Sequence, residues 1–167
     1  MILGFSTRLK GRPTYFVEKI HSGLLQNDLK VDFENDDAPQ EFNVNVLAEC
    51  EPKIHTIRED KNNRWKTGMK IDFFINCRQK DMFRFAPTLP VVSTQTIEII
   101  YEYDSVNHKN RNVVWIEDMV FYDATRRVDK GILQLAQNDG FDSIEDFFNY
   151  FNDNFKGKII HWTTKQY

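Results

Sequence analysis

Cysteine is scarce in this chain: Cys50 and Cys77 are its two thiols. So far apart, they make neither a zinc-ligand pattern nor the dense framework of a small secreted domain. Free, partly buried thiols in a reducing compartment are expected. No apolar run approaches the length of a membrane span. The first residues lack the charged start, apolar stretch and small-residue cleavage site of a secretory leader. A soluble cytoplasmic protein without membrane contact is the expectation. The chain also lacks an excess of basic charge, with a formal net charge of −3. That argues against coating long nucleic acid through bulk charge, and leaves room for a local basic pocket. No internal repeat or low-complexity tract interrupts it.

What is present is a packed core. Apolar residues make up 41% of 167 positions, with 14 Phe, which supports a single globular domain over 1–167. Residues 1–5 read as a strand, and Pro13 suits the first position of a helix. Phe16, Ile20 and Leu24 follow at helical spacing, with Lys19 on another face and within reach of a neighbouring site. An acidic excursion covers 27–41, where Asp28, Asp32, Glu34, Asp36, Asp37 and Glu41 face Lys30 alone. A short strand at 30–33 is expected inside it. Its spacing lacks the glycine and ligand positions of a calcium loop, so solvation is expected and no metal or cofactor. Strands follow at 69–77, 82–85, 94–103 and 113–121, with an extended strand-turn region at 78–112. A helix over 128–138 ends at Gly140, which fits a left-handed cap. Ser143 starts another helix, with Asp146 at the cap-plus-acid spacing. A last strand covers 158–164. The sum is a mostly antiparallel, twisted sheet or small barrel with about three helices.

The chemistry-bearing stretch is Lys53-Ile54-His55-Thr56-Ile57-Arg58, closed by Trp65-Lys66-Thr67-Gly68. It is the most positive part of an acidic chain. If it is extended, Ile54, Thr56 and Arg58 share one face and Lys53, His55 and Ile57 the other. A turn would instead bring Lys53 and Thr56 together. Positive charge beside Trp65 suits a phosphate plus a stacked base. The plain alternatives are a basic hairpin with a half-buried Trp65, and a packed or surface His55.

These two motifs, with Leu135-Ala136-Gln137-Asn138-Asp139-Gly140-Phe141, resemble the ASCH domain, a family similar to the RNA-binding PUA domains. The opening Gly4-Phe5 strand and Thr14-Tyr15-Phe16 fit the family's usual start. The resemblance implies an α+β fold, PUA-like, with a compact, mostly antiparallel β-barrel flanked by about three helices. Some small ASCH proteins are amidohydrolases acting on acetylated cytidine nucleosides, with a Lys-x-x-Thr pattern and a Glu. By resemblance Lys53 matches the Lys, Thr56 the Thr, and Asp139 the Glu, one methylene shorter.

Three functions are therefore expected to compete. One is binding of RNA or a small nucleoside or nucleotide ligand, with Arg58, Trp65, Lys66 and His55 as binding residues. Another is hydrolysis of an acyl amide on a cytosine base, with Thr56 as nucleophile, Lys53 as base and Asp139 orienting them. Ribonuclease activity is implied by the same family. The last is a non-catalytic module that binds a protein partner through the acidic 27–41 segment. Fold resemblance alone does not choose among them.

Overall fold

A computed structural model describes residues 1–29, 47, 49–106 and 108–167. Most of the acidic excursion, from position 30 on, and the strand expected at 30–33 lie outside the described residues. Within them the elements are β1 (Ile2–Phe5), β2 (Arg8–Leu9), β3 (Arg12–Pro13), α1 (Phe16–Gln26), β4 (His55–Arg58), β5 (Lys70–Ile75), β6 (Phe83–Arg84), β7 (Leu89–Pro90), β8 (Ser93–Asp104), β9 (Lys109–Ile116), β10 (Met119–Asp123), β11 (Val128–Asp129), α2 (Ile132–Asn138), α3 (Ile144–Tyr150) and β12 (Phe155–His161). The fold is α+β with mostly antiparallel pairing; β1 and β5 pair in parallel. No described helix is long and apolar enough to cross a membrane.

One sheet has six strands in the order β11-β10-β9-β8-β12-β4, and a second joins β1, β5, β6 and β7. β12 and β4 divide two cores. Ile57 and Ile159 are register partners and enter a core with Ile97, Ile99, Leu135 and Phe147. The next residue, Ile160, enters the other core with Phe5, Ile20, Leu24, Phe73 and Trp162. Successive side chains of a strand point to opposite faces, so one strand feeds both cores.

The expected barrel is not formed: the sheets stay open. β4 ends the six-stranded sheet, and among the described residues no strand pairs with its outer edge. The end of α2 meets that edge instead. Ile54 N donates to Asn138 O at 3.0 Å, and Ile57 N donates to the Asp139 carboxylate at 3.0 Å. An edge strand's outer N–H groups need partners, and here a helix terminus supplies them.

Several boundaries differ from the sequence expectations; the closing strand expected over 158–164 is β12, Phe155–His161. Pro13 lies in β3, and α1 begins only at Phe16, after Tyr15 in a left-handed conformation. The apolar run 113–121 is two strands, β9 and β10, because the chain turns at Glu117 with φ 52°. The helix expected from Val128 starts at Ile132, since the Asp129 carboxylate takes the N–H groups of Gly131 at 2.8 Å and Ile132 at 2.9 Å. That side chain caps the first turn. α3 follows expectation: Ser143 Oγ accepts from Asp146 N at 3.0 Å.

Gly23 sits where α1 crosses the chemistry-bearing segment. A Cβ there would lie 2.6 Å from the Lys53 carbonyl oxygen. Alanine normally stabilises a helix interior by about 1 kcal/mol over glycine. At this position Gly23→Ala is expected to destabilise instead, by about 1–3 kcal/mol, through overpacking against backbone. Urea unfolding of the variant checks the sign.

Candidate functional site

Two local features bring distant residues together. Lys53 N donates to Lys19 O at 2.9 Å, so the chain before β4 runs along α1. After α2, Gly140 adopts φ +95°, and a Cβ there would fall 2.8 Å from Phe16 and 3.0 Å from the Lys53 stem. Glycine is required twice over, for the backbone angle and for the close approach. This tight turn delivers Asp139 to Lys53.

Lys53 Nζ donates to Asp139 Oδ1 at 2.7 Å, across 86 residues of sequence. It also donates to the Asp139 carbonyl. Both side chains are almost fully enclosed, at 2% and 5% exposure. The Lys53 ammonium stands 5.1 Å from the Phe16 ring centroid and 5.9 Å from that of Phe5, where aromatic faces favour a cation. Half-buried Arg58 joins from the same side: its guanidinium lies 5.2 Å from the Phe5 centroid and donates to Gly4 O at 2.8 Å. Lys19 closes the turn from below, donating to Gly140 O at 2.9 Å and to Asp142 at 2.5 Å. Two cations, Lys53 and Lys19, thus converge on the 139–142 turn.

Burial dominates the ionisation of the central pair. It lowers the Lys53 amine to about 8, against the opposing pull of Asp139. It raises the Asp139 carboxyl above its ordinary value, against the opposing pull of Lys53. Each charge is tolerated because the other is in contact. Asp139, one methylene shorter than a glutamate, reaches the amine directly, because the Gly140 turn brings the backbone close.

The other expected site residues divide. β4 is extended, with Thr56 opposite Ile160 and His55 opposite His161. Thr56 is buried on the Ile160 face. Among the described residues no hydrogen bond joins it to Lys53 or Asp139. His55 is fully enclosed. Its Nε2 is 2.8 Å from the Tyr167 hydroxyl, and its Nδ1 is 3.9 Å from Asp139 Oδ1. Burial, then the neighbouring His161, hold its pKa well below the usual histidine range. Trp65, expected to offer a stacking face, is packed in a core at 4% exposure. Lys66 is exposed.

Residues the sequence reading passed over complete the surroundings. Asn138 Nδ2 donates to the Tyr167 hydroxyl at 2.6 Å, which ties the last turn of α2 to His55. Gln95 holds the Tyr167 backbone on both sides, at 2.8 Å and 2.9 Å. Tyr167 belongs to no periodic element, so no pattern marks it. The described residues include no group of three or more His, Cys, Asp or Glu side chains that would hold a metal ion. No family model matches this chain, and no curated protein or solved structure matches it.

Proposed function

We propose that this chain is an ASCH-type, PUA-like protein that binds a nucleoside or nucleotide, free or within RNA, around Lys53, Thr56, Arg58 and Asp139. The observation that carries the reading is the Lys53–Asp139 contact at 2.7 Å beside Arg58. It sets a strong donor next to a strong acceptor, as the edge of a nucleobase requires. Arg58, partly exposed, suits a phosphate. Trp65 and Lys66 are left out of this site, and ring contact would fall to the partly exposed Phe16.

Titration calorimetry with cytidine, its monophosphate and a short single-stranded RNA, at two salt concentrations, tests the reading. Binding of the phosphate-bearing ligands should weaken as salt rises. Arg58→Gln should weaken them by about tenfold, the worth of one charge-assisted hydrogen bond, and leave the free nucleoside unchanged. Absence of binding by all three at low salt would retire the proposal.

A second reading, removal of an acyl group from a cytosine base, is favoured by the Lys53 amine at about 8, close to the range of a useful base. Against it, that amine already donates to two Asp139 oxygens. Acylated cytidines should then release their acyl group, and Lys53→Ala and Thr56→Ala should each abolish release in folded protein. RNA cleavage is read in the same assay. Inert wild-type protein rejects the catalytic reading while leaving binding to the calorimetry.

A further inference from the structure

Tyr167 also borders a cavity of about 180 Å³ whose lining includes neither Lys53 nor Asp139. The apolar wall is made by Met119 and Phe121 of β10 together with Tyr167. Lys130, Lys165, Gln134 and Gln166 make the polar wall. Hydrogen bonds and ring packing hold these walls in place. Gln95 bonds the Tyr167 backbone at 2.8 Å and 2.9 Å. The Tyr167 ring meets Phe121 edge-on, with centroids 5.5 Å apart, and Lys130 N donates to Phe121 O at 3.0 Å. Met119 is 56% exposed, and Lys130 and Gln134 are exposed too, so the cavity opens to solvent.

Its lining carries two ammonium groups and no carboxylate. Lys165 Nζ lies 5.3 Å from the Tyr167 ring centroid and donates to Gln134 Oε1 at 3.5 Å. Among the described residues neither Lys165 nor Lys130 makes an ion pair. The carboxylates immediately next to the lining in sequence are turned elsewhere. Glu117 accepts from Thr96 N at 2.8 Å and from its hydroxyl at 3.2 Å. Asp129 accepts from the N–H groups at the start of α2. Asp118 is exposed and outside the lining.

Size and charge together limit the occupant. An apolar cavity of about 150 Å³ admits one benzene ring, whereas larger, multi-ring ligands need about 300 Å³ or more. We propose that this cavity is a second binding site, for a free small molecule of one aromatic ring and one carboxylate or phosphate. The ring lies against Met119, Phe121 and Tyr167, where a thioether and aromatic faces favour it. Its anionic group meets Lys165 and Lys130, with a glutamine amide as further donor. This site is separate from the Lys53–Asp139 pair and does not depend on nucleoside binding there.

Nuclear magnetic resonance on the full chain, observing methionine methyls and tyrosine rings, tests this with benzoate, phenyl phosphate, benzyl alcohol and acetate. At least one of the two aromatic anions should shift the Met119 and Tyr167 signals saturably, with Kd on the order of 1 mM, ordinary for so few atoms. The tighter of the two tells carboxylate from phosphate. Benzyl alcohol has the ring without the charge, and acetate the charge without the ring. Each should bind at least about threefold more weakly. Lys165→Met should weaken the tighter anion by about threefold, and adding Lys130→Met should bring the loss to about tenfold. If a variant fails to fold, the comparison of ligands on wild-type protein decides. No saturable shift from either anion, benzyl alcohol as tight as the anions, or undiminished binding in the folded double variant would each overturn the proposal.

Discussion

Replacing Asp139 with alanine is expected to lower the free energy of unfolding by about 3–5 kcal/mol, the cost of stranding one member of a buried charge pair. Two donors lose their acceptor together. The Lys53 ammonium, 2.7 Å from the carboxylate in a site with 2% exposure, keeps the backbone carbonyl of residue 139 but loses the charge that opposes its burial. The Ile57 N–H on the outer edge of β4 loses its partner at 3.0 Å. The Phe16 and Phe5 rings offer weaker compensation. Adding Lys53→Met to the alanine variant should recover much of the loss, because a thioether of similar length has no charge to desolvate. Guanidinium denaturation of wild type, single and double variants measures both steps. A single-variant loss near the ~1 kcal/mol typical of point substitutions would mean that the pair is not enclosed as described.

Acidification is expected to weaken the fold between pH 6.5 and about 4, through the buried imidazoles. Burial lowers His161 from 6.5 to about 4, and burial followed by His161 lowers His55 further. Within that window the unfolded chain binds a proton that folded His161 refuses. Stability is therefore fully present above pH 6.5 and is lost as the pH falls toward 4. The shift from 6.5 to about 4 corresponds to about 3 kcal/mol for His161 alone. Asp139 works the other way, because its raised carboxyl takes a proton in the folded state before it does in the unfolded one. His161→Leu separates the two: its stability should be flatter with pH across the window than that of wild type. Equal slopes for both proteins would show that His161 is not the group refusing the proton.

Much of the scaffold was legible because local rules and burial agree there. Of Phe16, Ile20 and Leu24, read at helical spacing, Ile20 and Leu24 are buried in α1 and Phe16 packs partly exposed against the same core. The Ile-rich alternation of 94–103 became β8, and Ser143 capped α3 with its own side chain. Legibility failed where a single side chain overrode the pattern. The Asp129 carboxylate bonds to the N–H groups at the start of α2, and the reversal at Glu117 divides an apolar run that reads as one strand. Trp65 misled for another reason. Surrounding charges made it look like a ligand platform, but its own backbone is held by Asp60 at 3.0 Å, which folds the loop so that the indole turns inward.

By itself the sequence determined the α+β class, the helical face of Ile20 and Leu24, and the Ser143 cap of α3. These follow from residue identity, period and turn chemistry, which act over a few positions. Tertiary structure alone decided that the sheets stay open, that His55–Arg58 is extended and not turned, that Asp139 meets Lys53, and that Tyr167 reaches His55. Those outcomes rest on register between strands far apart in the chain, and on a helix end satisfying an edge that another strand would otherwise have covered.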